Sequence, residues 1–164
     1  MTIHALIFEP SELTLWGLDP EERLHRQLNE IGKTLKALTA IRWIDDPGNL
    51  PTSGEVLLFN GGFIFENRTV EAVTATKNSV LQHEGETAAA FVEADLAADV
   101  VDHMRDRSVA LPEKISTVST EDFKAFDINL RRSTKPLLEP VSRARKAELS
   151  IGRIKALFHE THVY

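Results

Sequence analysis

Polar chemistry is concentrated in a few short stretches of this chain. The first is Val56-Leu57-Leu58-Phe59-Asn60-Gly61-Gly62-Phe63-Ile64-Phe65-Glu66, where an apolar strand runs into Asn-Gly-Gly and out into a second apolar run. In open α/β sheets, ligands sit at the carboxyl ends of strands. Asn60, Gly61 and Gly62 offer a close backbone approach there, or a tight turn between Phe59 and Phe63. No carboxylate lies within the motif, and Glu66 reads as the charge of a helix N-terminus. The second stretch is Asp45-Asp46, ahead of Pro47-Gly48. Two adjacent carboxylates suit Mg²⁺, and Asx residues equally suit the start of such a turn.

The third stretch is Phe8-Glu9-Pro10-Ser11-Glu12-Leu13-Thr14-Leu15-Trp16-Gly17, after the first apolar run. A phosphate cradle at this point needs backbone amides and glycines. This loop has one glycine, a proline without an N–H, and two carboxylates that repel phosphate. It reads as a packed loop anchored by Trp16, with Ser11 and Gly17 as its candidate nucleotide contacts.

The remaining groups are plainer. Asp95, Asp99 and Asp102 follow helical spacing opposite an apolar face, as a solvated surface does. Glu121 and Asp122 suit the first turn of a helix. His159 and His162 are three residues apart and lack a third ligand nearby. Cysteine is absent, which excludes disulfides, thiolate metal sites and cysteine catalysis. Tyr164 is the one tyrosine, and no basic–aromatic platform for nucleic acid is present.

Charge is unevenly divided. Residues 1–130 hold 11 Lys and Arg against 22 Asp and Glu, whereas 131–155 hold Arg131, Arg132, Lys135, Arg143, Arg145, Lys146, Arg153 and Lys155 against Glu139 and Glu148. A basic tail on an acidic domain suits an anionic lipid surface, a nucleic acid, the domain's own acidic face, or simply a solvated helix. No apolar run approaches the roughly 20 residues of a membrane helix. The N-terminus has no signal-like core, so secretion is not expected.

These residues must be positioned by an α/β framework. Ile3–Phe8, Ile41–Ile44 and Glu55–Phe59 read as short buried strands. Asp19-Pro20-Glu21-Glu22 is a helix start, with Leu24, Leu28 and Ile31 on one face and Gly32 as the stop. Asn67 is the expected cap of a short helix through Thr76. Val80–Gln82 and Thr87–Val92 flank Glu84-Gly85 as a hairpin. Leu96, Val100, Val101 and Met104 make one face of a helix over 94–104. Residues 105–118 read as loop, and Ser119 or Thr120 caps a short helix carrying Phe123 and Phe126. Residues 131–140 read as extended, and Val141–His159 returns to helical spacing. At 164 residues one domain is expected, a mixed α/β sandwich.

The order of elements resembles the N-terminal cytoplasmic domain of bacterial CDP-alcohol phosphatidyltransferase proteins. That domain is similar to MobA-like nucleotidyltransferases of the glycosyltransferase-A type. The resemblance is carried by Leu15-Trp16-Gly17-Leu18, Glu22-Arg23-Leu24, Arg26-Gln27-Leu28, Val56–Gly62 and Thr87–Val92. Leu130-Arg131-Arg132-Ser133-Thr134-Lys135-Pro136-Leu137-Leu138-Glu139-Pro140-Val141 is similar to the segment that leads into the membrane portion. It implies a three-layer sandwich with a mixed, mostly parallel sheet, like the nucleotide-diphospho-sugar transferases. It also implies a nucleotidyltransferase-like domain over 1–130, and over 131–164 a basic extended segment and helix leading towards a membrane domain outside this chain.

The departures from that family are chemical. Active members carry a Gly-rich loop with an arginine after strand one, which Glu9–Gly17 lacks. They carry a metal-holding aspartate after the central strand, where Gly62 stands here. Their usual lysine after the first loop has no counterpart, and Arg23 is the nearest cation. The resemblance therefore implies a degenerate domain with no cofactor, accessory to CDP-alcohol phosphotransfer in phospholipid synthesis. Its expected partner is the membrane-embedded phosphotransferase domain in cis, at the inner face of the membrane, with an anionic surface met by Arg131, Arg132, Lys135, Arg143, Arg145 and Lys146 and no nucleic acid. The alternative is an active cytidylyltransferase that uses CTP and Mg²⁺ on a polyol phosphate such as inositol phosphate. Its metal ligands would come from Asp45, Asp46 or Glu66, and its phosphate contacts from Arg23 or Lys135.

Overall fold

The computed structural model describes residues 2–8, 20–34, 40–123, 125–127, 132–134 and 138–140. Its centre is a six-stranded sheet in the order β2-β1-β3-β6-β5-β7. The strands are β1 (Thr2–Phe8), β2 (Ala40–Ile44), β3 (Glu55–Asn60), β5 (Ser79–His83), β6 (Glu86–Glu93) and β7 (Ser116–Val118). Both β2 and β3 run parallel to β1, β7 runs parallel to β5, and β6 lies antiparallel to both of its neighbours. The fold is thus α/β with a mixed, mostly parallel sheet.

Near-continuous apolar strands follow from burial on both faces. Ile3, Ala5, Ile7, Leu57 and Phe59 point to one face. They meet Leu24 and Leu28 of helix α1 (Pro20–Thr34) and Val70 and Val73 of α2 (Asn67–Ala75). Leu6, Phe8, Val56, Leu58, Ala90 and Val92 point to the other face, against Leu96, Ala97, Val100 and Val101 of α3 (Ala94–Arg105). Helices on both faces make three layers. Burying one such Leu, Val or Phe contributes about 1.5–3 kcal/mol.

A small second sheet completes the first core. The strand β4 (Phe63–Phe65) pairs antiparallel with β10 (Leu138–Pro140), and Leu138 joins the buried cluster. Residues beyond 130 therefore take part in the packing. Strands β8 (Ala125–Asp127) and β9 (Arg132–Thr134) form a separate antiparallel pair.

The hairpin at Glu84-Gly85 is as expected. Both residues have positive φ, 51° and 80°, which matches the twist of the flanking strands. Four local expectations are corrected. Helix α1 runs past Gly32 to Thr34; one glycine costs about 1 kcal/mol in a helix, less than packing supplies. The N-cap of α2 is Glu66, and Asn67 lies inside the helix, where its Oδ1 accepts a 3.0 Å hydrogen bond from Gln27 Nε2. The supposed loop after Arg105 contains β7, an edge strand whose three residues are too few to show a period. The turn at Thr120–Phe123 is a short 3-10 helix, and Phe126 belongs to β8, where pairing with Ser133 decides its conformation. The expected cap Asp19 and the helix over 141–159 lie outside the described residues.

Candidate functional site

The chain leaves β1 towards β2, on one side, and leaves β3 towards β5, on the other. The carboxyl ends of two strands whose connections diverge are the usual ligand position in this class of sheet. Here those ends are Phe8 and Asn60, which are register partners.

The Asn60-Gly61-Gly62 turn closes this end with its own hydrogen bonds. The Gly61 N–H donates to the Phe8 carbonyl at 2.8 Å, and the Gly62 N–H donates to Asn60 Oδ1 at 2.8 Å. The Asn60 carboxamide also donates through Nδ2 to the Thr87 carbonyl on β6 at 3.3 Å. Asn60 therefore ties β3 to β6 and shapes the turn. A Cβ on Gly62 would sit 3.1 Å from Asn60 Oδ1, so glycine is favoured here by close approach, and neither glycine needs positive φ. The amides that would cradle a phosphate are already engaged.

Asp45 and Asp46 lie at the same edge, just past β2. Asp46 caps the 3-10 turn Pro47–Asn49, accepting from Gly48 N–H at 2.9 Å, while Asp45 is exposed. Glu66 lies apart from them, at the start of α2, with its carboxylate paired to Arg68. Arg23 is buried in α1 at 4% exposure and is already engaged in an interaction. The structure thus brings Asp45, Asp46, Asn60, Gly61 and Gly62 to one edge, and directs Arg23 and Glu66 into packed or paired positions. Ser11, Gly17, Arg131, Lys135, Arg143, Arg145 and Lys146 lie outside the described residues, as does the side chain of Arg132.

Two residues at this edge carried no signal in the sequence. Helix α3 starts beside Gly54, with Ala94 N–H on its carbonyl at 2.9 Å, and runs back towards the carboxyl edge. It ends with the Arg105 guanidinium 5.3 Å above the Phe8 ring. Arg107 follows, its guanidinium against the hairpin turn, 3.5 Å from where a Cβ on Gly85 would be. Only the return of α3 across the sheet makes these neighbours of β1 and of the hairpin. Asp106, between them, turns its carboxylate onto its own loop, accepting from Ser108 N–H at 3.0 Å and Ser108 Oγ at 2.7 Å. Those two bonds hold the Asp106 carboxyl below its ordinary pKa, the hydroxyl bond being the larger cause.

Among the described residues, no three His, Asp or Glu side chains are grouped as metal ligands, and no helix is long and apolar enough to cross a membrane. No protein-family model matches the chain, and no curated protein matches its sequence.

Proposed function

We propose that this chain is a catalytically degenerate nucleotidyltransferase-like domain, a pseudoenzyme module accessory to CDP-alcohol phosphotransfer in phospholipid synthesis. One observation carries the reading. At the carboxyl ends of β1 and β3, the Gly61 and Gly62 amides are spent on Phe8 and Asn60, and no carboxylate belongs to the turn. Nucleotidyl transfer must neutralise a triphosphate and align its attacked phosphorus, which takes free donors and a held metal. The mixed, mostly parallel sheet supports the transferase-like fold that the resemblance implies. The basic residues after 130 support a position beside an anionic membrane at the inner face, where each Lys or Arg near the surface contributes about 1 kcal/mol.

Titration calorimetry with CTP and Mg²⁺ tests this. The expected result is no saturable heat. Micromolar binding that is abolished by Asp45→Asn would overturn the reading. It would favour the cytidylyltransferase alternative, for which the exposed Asp45 carboxylate at this edge is the specific support. Pyrophosphate release from CTP with a panel of polyol phosphates, inositol phosphate included, then separates turnover from binding.

A further inference from the structure

Strand β10 reaches the core on little chain. It is three residues long, belongs to a two-stranded sheet apart from the six-stranded one, and lies far from its partner β4 in sequence. Leu138 is its apolar anchor, buried in the cluster beneath α1 and α2. Glu139 is buried as well and is engaged in an interaction, but a buried carboxylate adds little net stability. Pro140 has no N–H with which to extend the ladder. A two-stranded pair of this size is marginal by itself. In contrast, β1, β3 and β6 are each paired on both sides.

What β10 holds gives it weight. The antiparallel register sets Leu138 opposite Phe65, Glu139 opposite Ile64 and Pro140 opposite Phe63. Phe63 directly follows the Asn60-Gly61-Gly62 turn, so β10 runs towards that turn and ends beside it. The other end of β4 is pinned independently, by Gln27 Nε2 donating to the Phe65 carbonyl at 2.6 Å. Phe63 and Phe65 turn into the core that Phe59 shares, whereas Ile64 is 3% exposed and belongs to neither core cluster. Directly opposite residues lie on one face of a ladder, so Glu139 is the cross-strand neighbour of Ile64 and β10 contributes to its burial.

We infer that residues 138–140 are a strap that keeps the Asn60-Gly61-Gly62 turn closed, and that lifting the strap opens β4 and the turn together, ahead of the six-stranded sheet. Gly61 and Gly62 have no side chains to pack, so the turn is positioned by β3 on one side and β4 on the other. β3 is fixed between β1 and β6, whereas β10 is the partner strand of β4 among the described residues. Without β10, the backbone groups that β4 pairs with it must turn to water. Local opening starts where few buried apolar contacts oppose it, and β10 has one such anchor. An open turn frees the Gly61 and Gly62 amides and the Asn60 carboxamide, which the closed turn spends on Phe8, Asn60 and Thr87. The strap also lies between the chain's basic stretches, with Lys135 three residues before it and Arg143 three residues after it, so an anionic partner of those cations pulls on β10 directly. The strap does not rest on the pseudoenzyme reading, since it requires no nucleotide.

The test uses the whole chain, which has no cysteine of its own. Ile64→Cys supplies a single thiol whose alkylation rate reports the lifting of β10. Ala89→Cys, at 0% exposure on β6, reports the six-stranded sheet in the same way. Each is combined with Leu138→Asp, or with Leu138→Gly as the milder change, and amide exchange at Gly61 and Gly62 is read in parallel. Labelling of Ile64→Cys and exchange at both glycines should quicken about tenfold or more, the scale of losing one buried leucine side chain. Labelling of Ala89→Cys and the circular dichroism should stay as they are without the Leu138 change. Unchanged labelling and exchange overturn the inference, because the turn then stands without β10. Faster labelling of Ile64→Cys with unchanged glycine exchange also overturns it, since the strap then holds β4 alone. Equal acceleration at Ala89→Cys, or unfolding of both Leu138 variants, overturns it too, because β10 is then part of the global core. No readout involves CTP or Mg²⁺, so failure here is distinguishable from failure of the pseudoenzyme reading.

Discussion

The two ends of the sheet are built differently. At the amino edge, a cluster of ion pairs and side-chain hydrogen bonds ties neighbouring strands together. Lys77 Nζ lies 3.3 Å from Glu55 and 3.4 Å from Glu93, joining the start of β3 to the end of β6. Asn78, at φ 56°, accepts the Glu93 N–H at 3.0 Å and offers its carbonyl to Ser116 N–H at 3.0 Å, which seats β7. At the carboxyl edge the backbone is closed by the Asn60 turn, yet Arg105, Arg107 and Asp45 remain unpaired and exposed. The linking groups at the amino end are the Lys77 and Asn78 side chains, and at the carboxyl end the Asn60 carboxamide and the Gly61 amide.

The contrast can be broken by mutation, most severely from beneath. Phe59 is fully buried next to Asn60 and meets Phe65 edge-on at 5.4 Å between ring centroids. Phe59→Ala should cost about 3–5 kcal/mol in urea unfolding, because strands paired on both sides of β3 hold the cavity open. A loss below about 1 kcal/mol would mean that the carboxyl edge does not rest on this core.

A smaller effect separates the edges directly. Asn78→Ala loses the short polar side chain that makes the left-handed region tolerable and removes the bond to the Glu93 N–H, costing about 2–3 kcal/mol. Asn60→Ala loses its two polar contacts without backbone strain and should cost about 1–2 kcal/mol. If Asn60→Ala proves the more damaging, the carboxyl edge is the more heavily stitched end and the comparison reverses.

The smallest effect is electrostatic. The hydrogen bond to Glu55, followed by that to Glu93, raises the Lys77 pKa above the usual 10.5. The folded state therefore binds this proton more tightly than the unfolded chain does. The resulting stabilisation is fully present below pH 10.5 and is lost as pH rises through the folded-state value. Melting temperatures of the native chain and Lys77→Met should differ slightly at pH 8 and converge in the strongly alkaline range. Because Lys77 is exposed, the gap should also shrink in high salt. A gap that widens with alkali would assign Lys77 a different role.

Local chemistry was legible wherever a residue acts on its near neighbours. Pro20 with Glu21 and Glu22 starts α1, Glu84-Gly85 turns β5 into β6, and the 94–104 spacing lines one face of α3. Asn60-Gly61-Gly62 is readable as a turn for the same reason, since its decisive bond spans two residues. The cap of α2 was misread by one position because Asn67 is claimed by Gln27, 40 residues away. Strand β7 was missed because its partner among the described residues is β5, far off in sequence, and three residues reveal no period by themselves.

By itself, then, the amino-acid order determined the alternation of strands and helices, the absence of thiol chemistry and the division into acidic and basic stretches, because each depends on composition or short-range periodicity. The tertiary structure decided which strand lies antiparallel, that Arg23 and Glu66 are engaged, and that Arg105 and Arg107 reach the ends of β1 and the hairpin. The reason is physical: whether a charge is spent or free depends on what the chain folds against it, and those partners are distant in sequence.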